Sequence, residues 1–312
     1  MSAITSRFRS SCVAALALLV APAIIAGAPQ GSNERSVYVM VTDAQNKPIK
    51  GLPAEAFAIR EDNIDREVTK AVPATDPMAV IVLADTTSAF VPYPRDLRVA
   101  TAAFMKRLLS ASPQSAVALW EFGGADIPVE NFTSDSSKLE EATNKLFPKG
   151  SLSDVDLSGS AVKRGQNIVG SNLLEGVNDA AKQLAKRPEA RRIIFSFNHD
   201  LSVENSNLPG EQVQSSVQKA NATLFAVSIQ NNPSNGPLRD NVLDGLAPYS
   251  GGRRITILAI QALAATLENA ADILSSEYLV SYARPKSDSP KQVLVGIKVQ
   301  GAKASTARWA PK

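Results

Sequence analysis

Apolar and polar residues follow three successive patterns along this chain. Residues 36–72 read as short strands separated by turns. Ser36-Val37-Tyr38-Val39-Met40-Val41-Thr42 is rich in β-branched residues, and Asp43-Ala44-Gln45-Asn46-Lys47-Pro48 is a turn signal. Residues 56–60 and 67–69 predict further strands around the polar turn Glu61-Asp62-Asn63, and residues 73–77 read as a linker.

From there strands alternate with helices. Ala79-Val80-Ile81-Val82-Leu83-Ala84 is an apolar run without alternation, ending abruptly in Asp85-Thr86-Thr87-Ser88. Such a run predicts a strand buried on both faces, as in a parallel sheet covered by helices. Leu97, Ala100, Phe104 and Leu108 lie at helical spacing within residues 96–110. Residues 115–122 predict a strand, and residues 137–146 a short helix capped by Asp135 or Ser136. Residues 147–170 are polar and rich in Gly and Ser, a long loop whose role the pattern leaves open. Asn172 and Glu175 have capping-box spacing ahead of the face Leu173, Val177, Ala181 and Leu184. Then come a buried strand over 192–197, a loop with His199 and Asp200, a helix over 211–220, a strand over 223–228 and a short helix over 241–248. Leu263, Leu267, Ala270 and Leu274 mark a final helix.

The tail returns to strand pattern at residues 278–282 and 293–299, with a weaker strand signal over 305–309. Alternation in the middle predicts an α/β fold with a doubly wound, mostly parallel sheet over residues 76–276. An isolated hairpin is barely stable. The N- and C-terminal strands, 34–75 and 277–312, are therefore expected to pack as one small β module.

Composition changes this picture mainly at the N-terminus. Arg7 and Arg9 precede an apolar stretch, residues 12–26, that is broken by Pro22. A basic start, a short apolar region and small residues after it describe a secretory signal, here expected over residues 1–26. The mature chain is then secreted or periplasmic and has no membrane span. Cys12 is the only cysteine, so a mature chain has no disulfide and no thiolate chemistry. Without Arg7 and Arg9, the 33 basic residues fall to 31 against 30 acidic ones. That balance, with no Lys/Arg block, gives no footprint for nucleic acid.

Three segments carry a family resemblance: residues 39–52 with Ala56-Phe57 and Glu61-Asp62; Asp85-Thr86-Thr87 after its apolar strand; and Ser275-Ser276-Glu277-Tyr278-Leu279-Val280-Ser281-Tyr282. In this order they resemble the secreted bacterial proteins related to the von Willebrand factor type A (VWFA) domain. The resemblance implies a divalent cation at the sheet rim, held by three loops through hard oxygen ligands. Asp85 and Thr87 match the first loop, but Ala89 stands where a serine is usual. Ser171 falls at the second loop. The third loop normally carries Asp-Gly and here reads Phe197-Asn198-His199-Asp200. A degenerate site is the expectation: no firm cofactor, with weak or absent binding of Mg²⁺ or another divalent ion. Ser88, Asn172, Asn198, His199 and Asp200 are the expected ligand-binding rim.

Local readings compete with these. Asp85 and Thr87 also suit backbone capping, Ser171 suits a place beside a helix cap, and His199, the sole histidine, suits a solvated loop. Asn131-Phe132-Thr133 and Asn221-Ala222-Thr223 fit a glycosylation triplet that also arises by chance. No Gly-x-Ser-x-Gly, His-Glu-x-x-His or phosphate-loop pattern occurs. The expected function is a non-enzymatic, adhesion-type module that binds an extracytoplasmic protein. The alternatives are a periplasmic hydrolase using rim carboxylates such as Glu121, Asp126 and Asp200, and a structural envelope component.

Overall fold

The computed structural model describes residues 32–150, 169–230 and 236–311. The expected signal segment and most of the 147–170 loop lie outside them.

The central sheet is built on β5 (Met78–Asp85), whose eight residues are all buried. Its side chains alternate between two cores. Met78, Val80, Val82 and Ala84 face one helical layer, and Ala79, Ile81 and Leu83 face the other. Each large aliphatic side chain buried this way contributes about 1.5–3 kcal/mol. An unbroken apolar run is thus what a strand between two helical layers requires.

On either side of β5 lie β6 (Ala116–Phe122) and β8 (Arg191–His199), both parallel to it. Beyond β8 come β9 (Ala222–Ile229) and β10 (Arg253–Ile257), also parallel. Beyond β6 lies β7 (Asp126–Thr133), which is antiparallel. The order is β10-β9-β8-β5-β6-β7.

One layer contains α1 (Pro94–Ala111), α2 (Ser136–Thr143) and α6 (Leu263–Leu274). Phe104 of α1 stacks on Phe195 at 3.9 Å between ring centres. The opposite layer contains α3 (Leu173–Leu184), α4 (Gly210–Ala220) and α5 (Pro237–Tyr249). Asp135 caps α2 as expected, its Oδ1 accepting the Ser137 and Lys138 N–H groups. The capping box expected for α3 does not form. Asn172 makes no side-chain cap bond, the Ser171 hydroxyl accepts the Leu173 N–H instead, and Glu175 turns to Ser206 and Asn207.

The chain's two ends form the β module. β1 (Ser32–Thr42) pairs with β11 (Tyr278–Pro285) and with β13 (Lys303–Ser305), and β11 also pairs with β4 (Val68–Pro73). A second sheet joins β12 (Val293–Ile297), β2 (Phe57–Glu61) and β3 (Ile64–Arg66). Between them lies a core of Val37, Val39, Val41, Phe57, Ile59, Val280 and Tyr282. Buried Glu61 closes it, receiving bonds from the Tyr282 hydroxyl and the Arg284 guanidinium.

Candidate functional site

Parallel strands bring their carboxyl ends to one edge of the sheet, and ligands of such sheets bind just outside that edge. Asp85 ends β5 there. Its Oδ1 accepts the Thr87 N–H (2.9 Å). Its Oδ2 accepts the His199 N–H (2.9 Å) and the Ser202 hydroxyl (3.2 Å). Burial raises the Asp85 pKa above the usual carboxylate range, while the bonds from Thr87 and His199 and the Arg239 charge oppose the rise. Gly123, after β6, lets this loop close. A Cβ there would stand 2.8 Å from the Thr86 backbone carbonyl carbon.

The expected ligand oxygens are already engaged. The Thr87 hydroxyl lies 2.6 Å from the Ser202 hydroxyl. The Ser171 hydroxyl donates to Glu204 Oε2 at 2.7 Å. Ala89 is buried against Leu201, so an apolar contact fills the place of the motif's last hydroxyl. Arranged this way, Asp85, Thr87 and Ser171 do not fit the near-octahedral set of free oxygens that Mg²⁺ demands. Among the described residues, no three His, Cys, Asp or Glu side chains group as a metal-binding set.

The residues expected to face a ligand mostly lie beneath the surface. Ser88, Asn198, His199 and Asp200 are buried, and Asn172 is half-buried. The Ser88 hydroxyl bridges the Lys149 carbonyl and the Val169 N–H. Asn198 donates to Asp200 and accepts from the Ser228 hydroxyl. His199 ends β8 and is not a solvated loop residue. Its ring lies 6.1 Å from that of Phe90, and its Nδ1 accepts the Leu201 N–H. Burial, helped by the Arg239 charge, lowers its pKa to about 4. The imidazole is therefore neutral at physiological pH.

Sequence reasoning missed Arg239, on the first turn of α5. It is fully buried, and its guanidinium donates to the carbonyls of Ser202 (2.9 Å) and Asp200 (3.3 Å) and to Asp240 Oδ1 (3.3 Å). Asp200 and Glu204 carboxylates lie 3.6 and 3.9 Å from it. Arg254, also missed, ties Asp200, Asp240 and Asp244 together. A polar helix start gives no sequence sign that its arginine is buried.

The three carboxylates named for the hydrolase alternative have separate surroundings. Glu121 pairs with Lys149 at 2.9 Å, and Asp200 pairs with the arginines. Asp126 sits near Glu175, Asp179 and Glu204. Burial first, and then these three charges, push its pKa up to about 7.

Loops at the same edge expose apolar side chains, while the buried Asp126 Oδ1 and Asn172 Oδ1 lack a hydrogen-bond partner among the described residues. Phe147, Val203, Leu238 and Leu258 all lie on segments at the carboxyl edge, with Phe147 60% and Leu258 75% exposed. The Arg98 guanidinium covers one face of the Phe147 ring at 4.3 Å. A cavity of about 1080 Å³ lies elsewhere, at the opposite edge, lined by Arg191, Lys219, Tyr249, Lys291 and Trp309 among others.

No family model matches the chain, and no curated protein matches it in sequence. Solved structures do resemble it. One is proximal thread matrix protein 1 from the mussel byssus, at 13% identity and TM-score 0.48, over 73% of this chain and 50% of that one. Another is the D319A mutant of the PilB minor pilin of Streptococcus sanguinis, at 11% identity and TM-score 0.47, over 65% of this chain and 62% of that one. A third is a von Willebrand factor type A protein from Catenulispora acidiphila, at 13% identity and TM-score 0.48, over 88% of this chain and 73% of that one. This chain thus spans less than two thirds of the length of the first two. The fold is an α/β one, a doubly wound and mostly parallel sheet between two helical layers, with the Asp85 loop at its carboxyl edge and a small β module built from the two ends of the chain. At these identities the likenesses concern the path of the chain and not its chemistry.

Proposed function

We propose that this VWFA-like chain is an adhesion-type module that binds an extracytoplasmic protein through its rim loops, without depending on a divalent ion. The observation that carries this reading is the make-up of the rim. Phe147, Val203, Leu238 and Leu258 are exposed on segments at the carboxyl edge, where Asp85, Thr87 and Ser171 already have protein partners. Apolar side chains exposed at the edge where parallel sheets bind their ligands are available to a protein partner.

The test is crosslinking of the full chain to envelope extract, in chelator and in Mg²⁺, beside a Val203→Asp/Leu258→Asp variant. The reading expects one dominant adduct of equal yield in both buffers, lost in the variant. An adduct that persists in the variant, or forms only with Mg²⁺, overturns it.

One observation favours a second reading, a hydrolase. A carboxyl group with a pKa near 7 suits general acid catalysis, and Asp126 has this property beside Glu175. Turnover of a peptide, glycan or ester substrate that disappears in Asp126→Asn supports this reading. Its absence across such a panel leaves the binding module.

A further inference from the structure

We propose that the cavity between the β module and the far edge of the central sheet is a binding site for an acidic glycan, a sugar chain carrying carboxylate or sulfate groups. This site is separate from the rim, and the proposal holds whether or not the rim binds a protein.

Shape carries the first part of the argument. The cavity has a volume of about 1080 Å³, at the upper end of the roughly 300–1,000 Å³ usual for small-molecule sites. Its walls come from both parts of the molecule, with β1 and Lys291 on the module side and the start of β8 and the end of α4 on the domain side. Residues 306–311 form a further wall that is held from two directions. The Arg308 N–H donates to the Tyr249 carbonyl, and the Arg308 carbonyl accepts the Val293 N–H. Gly251 permits this close approach, since its φ is +89° and a Cβ there would stand 2.4 Å from the Ala307 nitrogen. A wall fixed in advance lowers the ordering cost of binding.

Charge carries the second part. Among the described residues, Glu277 is the only carboxylate that lines the cavity, and Arg191 neutralises it through two hydrogen bonds. Arg192, Lys219 and Lys291 also line it. Arg192 donates to the Ala220 and Arg187 carbonyls, while Glu189 nearby is taken by Arg187. Asp62 accepts the Lys291 backbone N–H from outside the lining. Three cations thus face the cavity without a lining carboxylate to match them. A cleft lined by one sign of charge concentrates ligands of the other sign.

The neutral side chains select a sugar among anions. Tyr249 and Trp309 are half-buried in the wall, their ring centres 5.7 Å apart and their planes at 57°. The Trp309 Nε1–H donates to Asn221 Oδ1 at 2.6 Å, which holds the indole by its edge. A ring held by its polar edge keeps an apolar face for packing, and the C–H face of a pyranose is such a partner. Ser215, Gln218 and Gln292 add hydroxyl and amide groups that make no side-chain hydrogen bond to the described residues. These groups both donate and accept, as sugar hydroxyls require. An acidic peptide would use the cations alone.

The experiment is calorimetric titration of the full chain with trigalacturonate, a heparin tetrasaccharide, maltotriose and triglutamate. At least one of the two acidic sugars should bind at least about tenfold more tightly than maltotriose or triglutamate, and high salt should weaken it. Which of the two binds tells carboxylate from sulfate. Lys219→Glu/Lys291→Glu and Trp309→Leu should each weaken that binding at least about tenfold. The rim variant Val203→Asp/Leu258→Asp should bind like the wild type. Both lysines are exposed, so their variant should melt like the wild type; if Trp309→Leu melts lower, the lysine variant decides alone. Failure of both acidic sugars to bind overturns the proposal, as does equal binding of maltotriose or triglutamate. Binding that survives the lysine variant, or that is lost in the rim variant, also overturns it.

Discussion

His199 and Asp126 bias the stability of this protein in opposite directions as pH changes. The His199 ring is buried and neutral, with a pKa of about 4 in the folded chain against an ordinary value near 6.5. Between these values the unfolded chain binds the extra proton, so stability falls as pH falls. This contribution is full above about pH 6.5 and is lost toward pH 4, amounting to about 3 kcal/mol. His199→Gln should flatten that acid limb, as read by urea midpoints between about pH 7 and pH 4.5. An unchanged limb would assign acid sensitivity to other groups. Asp126 runs the other way. Its pKa of about 7 means that the folded chain holds a proton the unfolded chain releases near pH 3.8. Its favourable contribution is present below that lower value and is lost as pH rises through 7. Asp126→Asn removes a carboxylate that sits among Glu175, Asp179 and Glu204, and it should raise the melting temperature at about pH 8. The gain should shrink steadily toward pH 4, and a gain independent of pH would count against repulsion as its cause.

Among the elements, the Arg191–Glu277 ion pair couples the sheet to the β module. Arg191 at the start of β8 donates from Nε (2.9 Å) and Nη2 (2.8 Å) to Glu277 Oε2, and from Nη1 to the Asp76 carbonyl (3.0 Å). Both partners are almost fully buried. Either Arg191→Met or Glu277→Gln alone should cost about 3–5 kcal/mol, because the remaining charge is buried without its partner. The double variant should recover part of that loss in a double-mutant cycle. Additive losses would mean the pair is not coupled. Legibility in the sequence followed burial at this scale. β5 could be read because helices cover both its faces, which forces a continuous apolar run. β7 and β10 escaped notice because each is an edge strand of mixed polarity. β7 also contains Pro128, and its pairing shifts register near Leu119. The candidate site divides along the same line. Asp85 announces itself as a carboxylate at the end of an apolar strand. Arg239 does not, because the groups that make it a buried charge lie on a distant loop that only the tertiary fold brings to it.

At the scale of the whole molecule, the α/β domain enters and leaves the β module at neighbouring positions. Pro73 of β4 faces Tyr278 of β11 across the antiparallel ladder, and the Ala74 N–H donates to the Glu277 carbonyl at 2.8 Å. In topological terms, the α/β domain is a very long loop inserted at the tip of a β4–β11 hairpin. A two-residue Asn-Gly turn suits the twist of such a hairpin. A chain in which Asn-Gly joins Pro73 directly to Tyr278 should therefore fold as a small all-β protein, retaining the core of Val37, Val39, Phe57, Ile59, Val280 and Tyr282. Dispersed amide resonances and a cooperative melt would show it, and a collapsed chain without dispersion would show that the inserted domain is needed to hold the hairpin. The same feature governs how the molecule bears load. Tension drawn between the rim and the β module reaches two adjacent strands together and pulls along their length. The hydrogen bonds that hold β11 to β1 are then loaded in shear as a group and are not opened one after another from an end. A domain grafted at a hairpin tip, and tied back to the module by the Arg253 bond to Thr42 and the Asn269 bond to Asn46, thus resists both extraction and tilting.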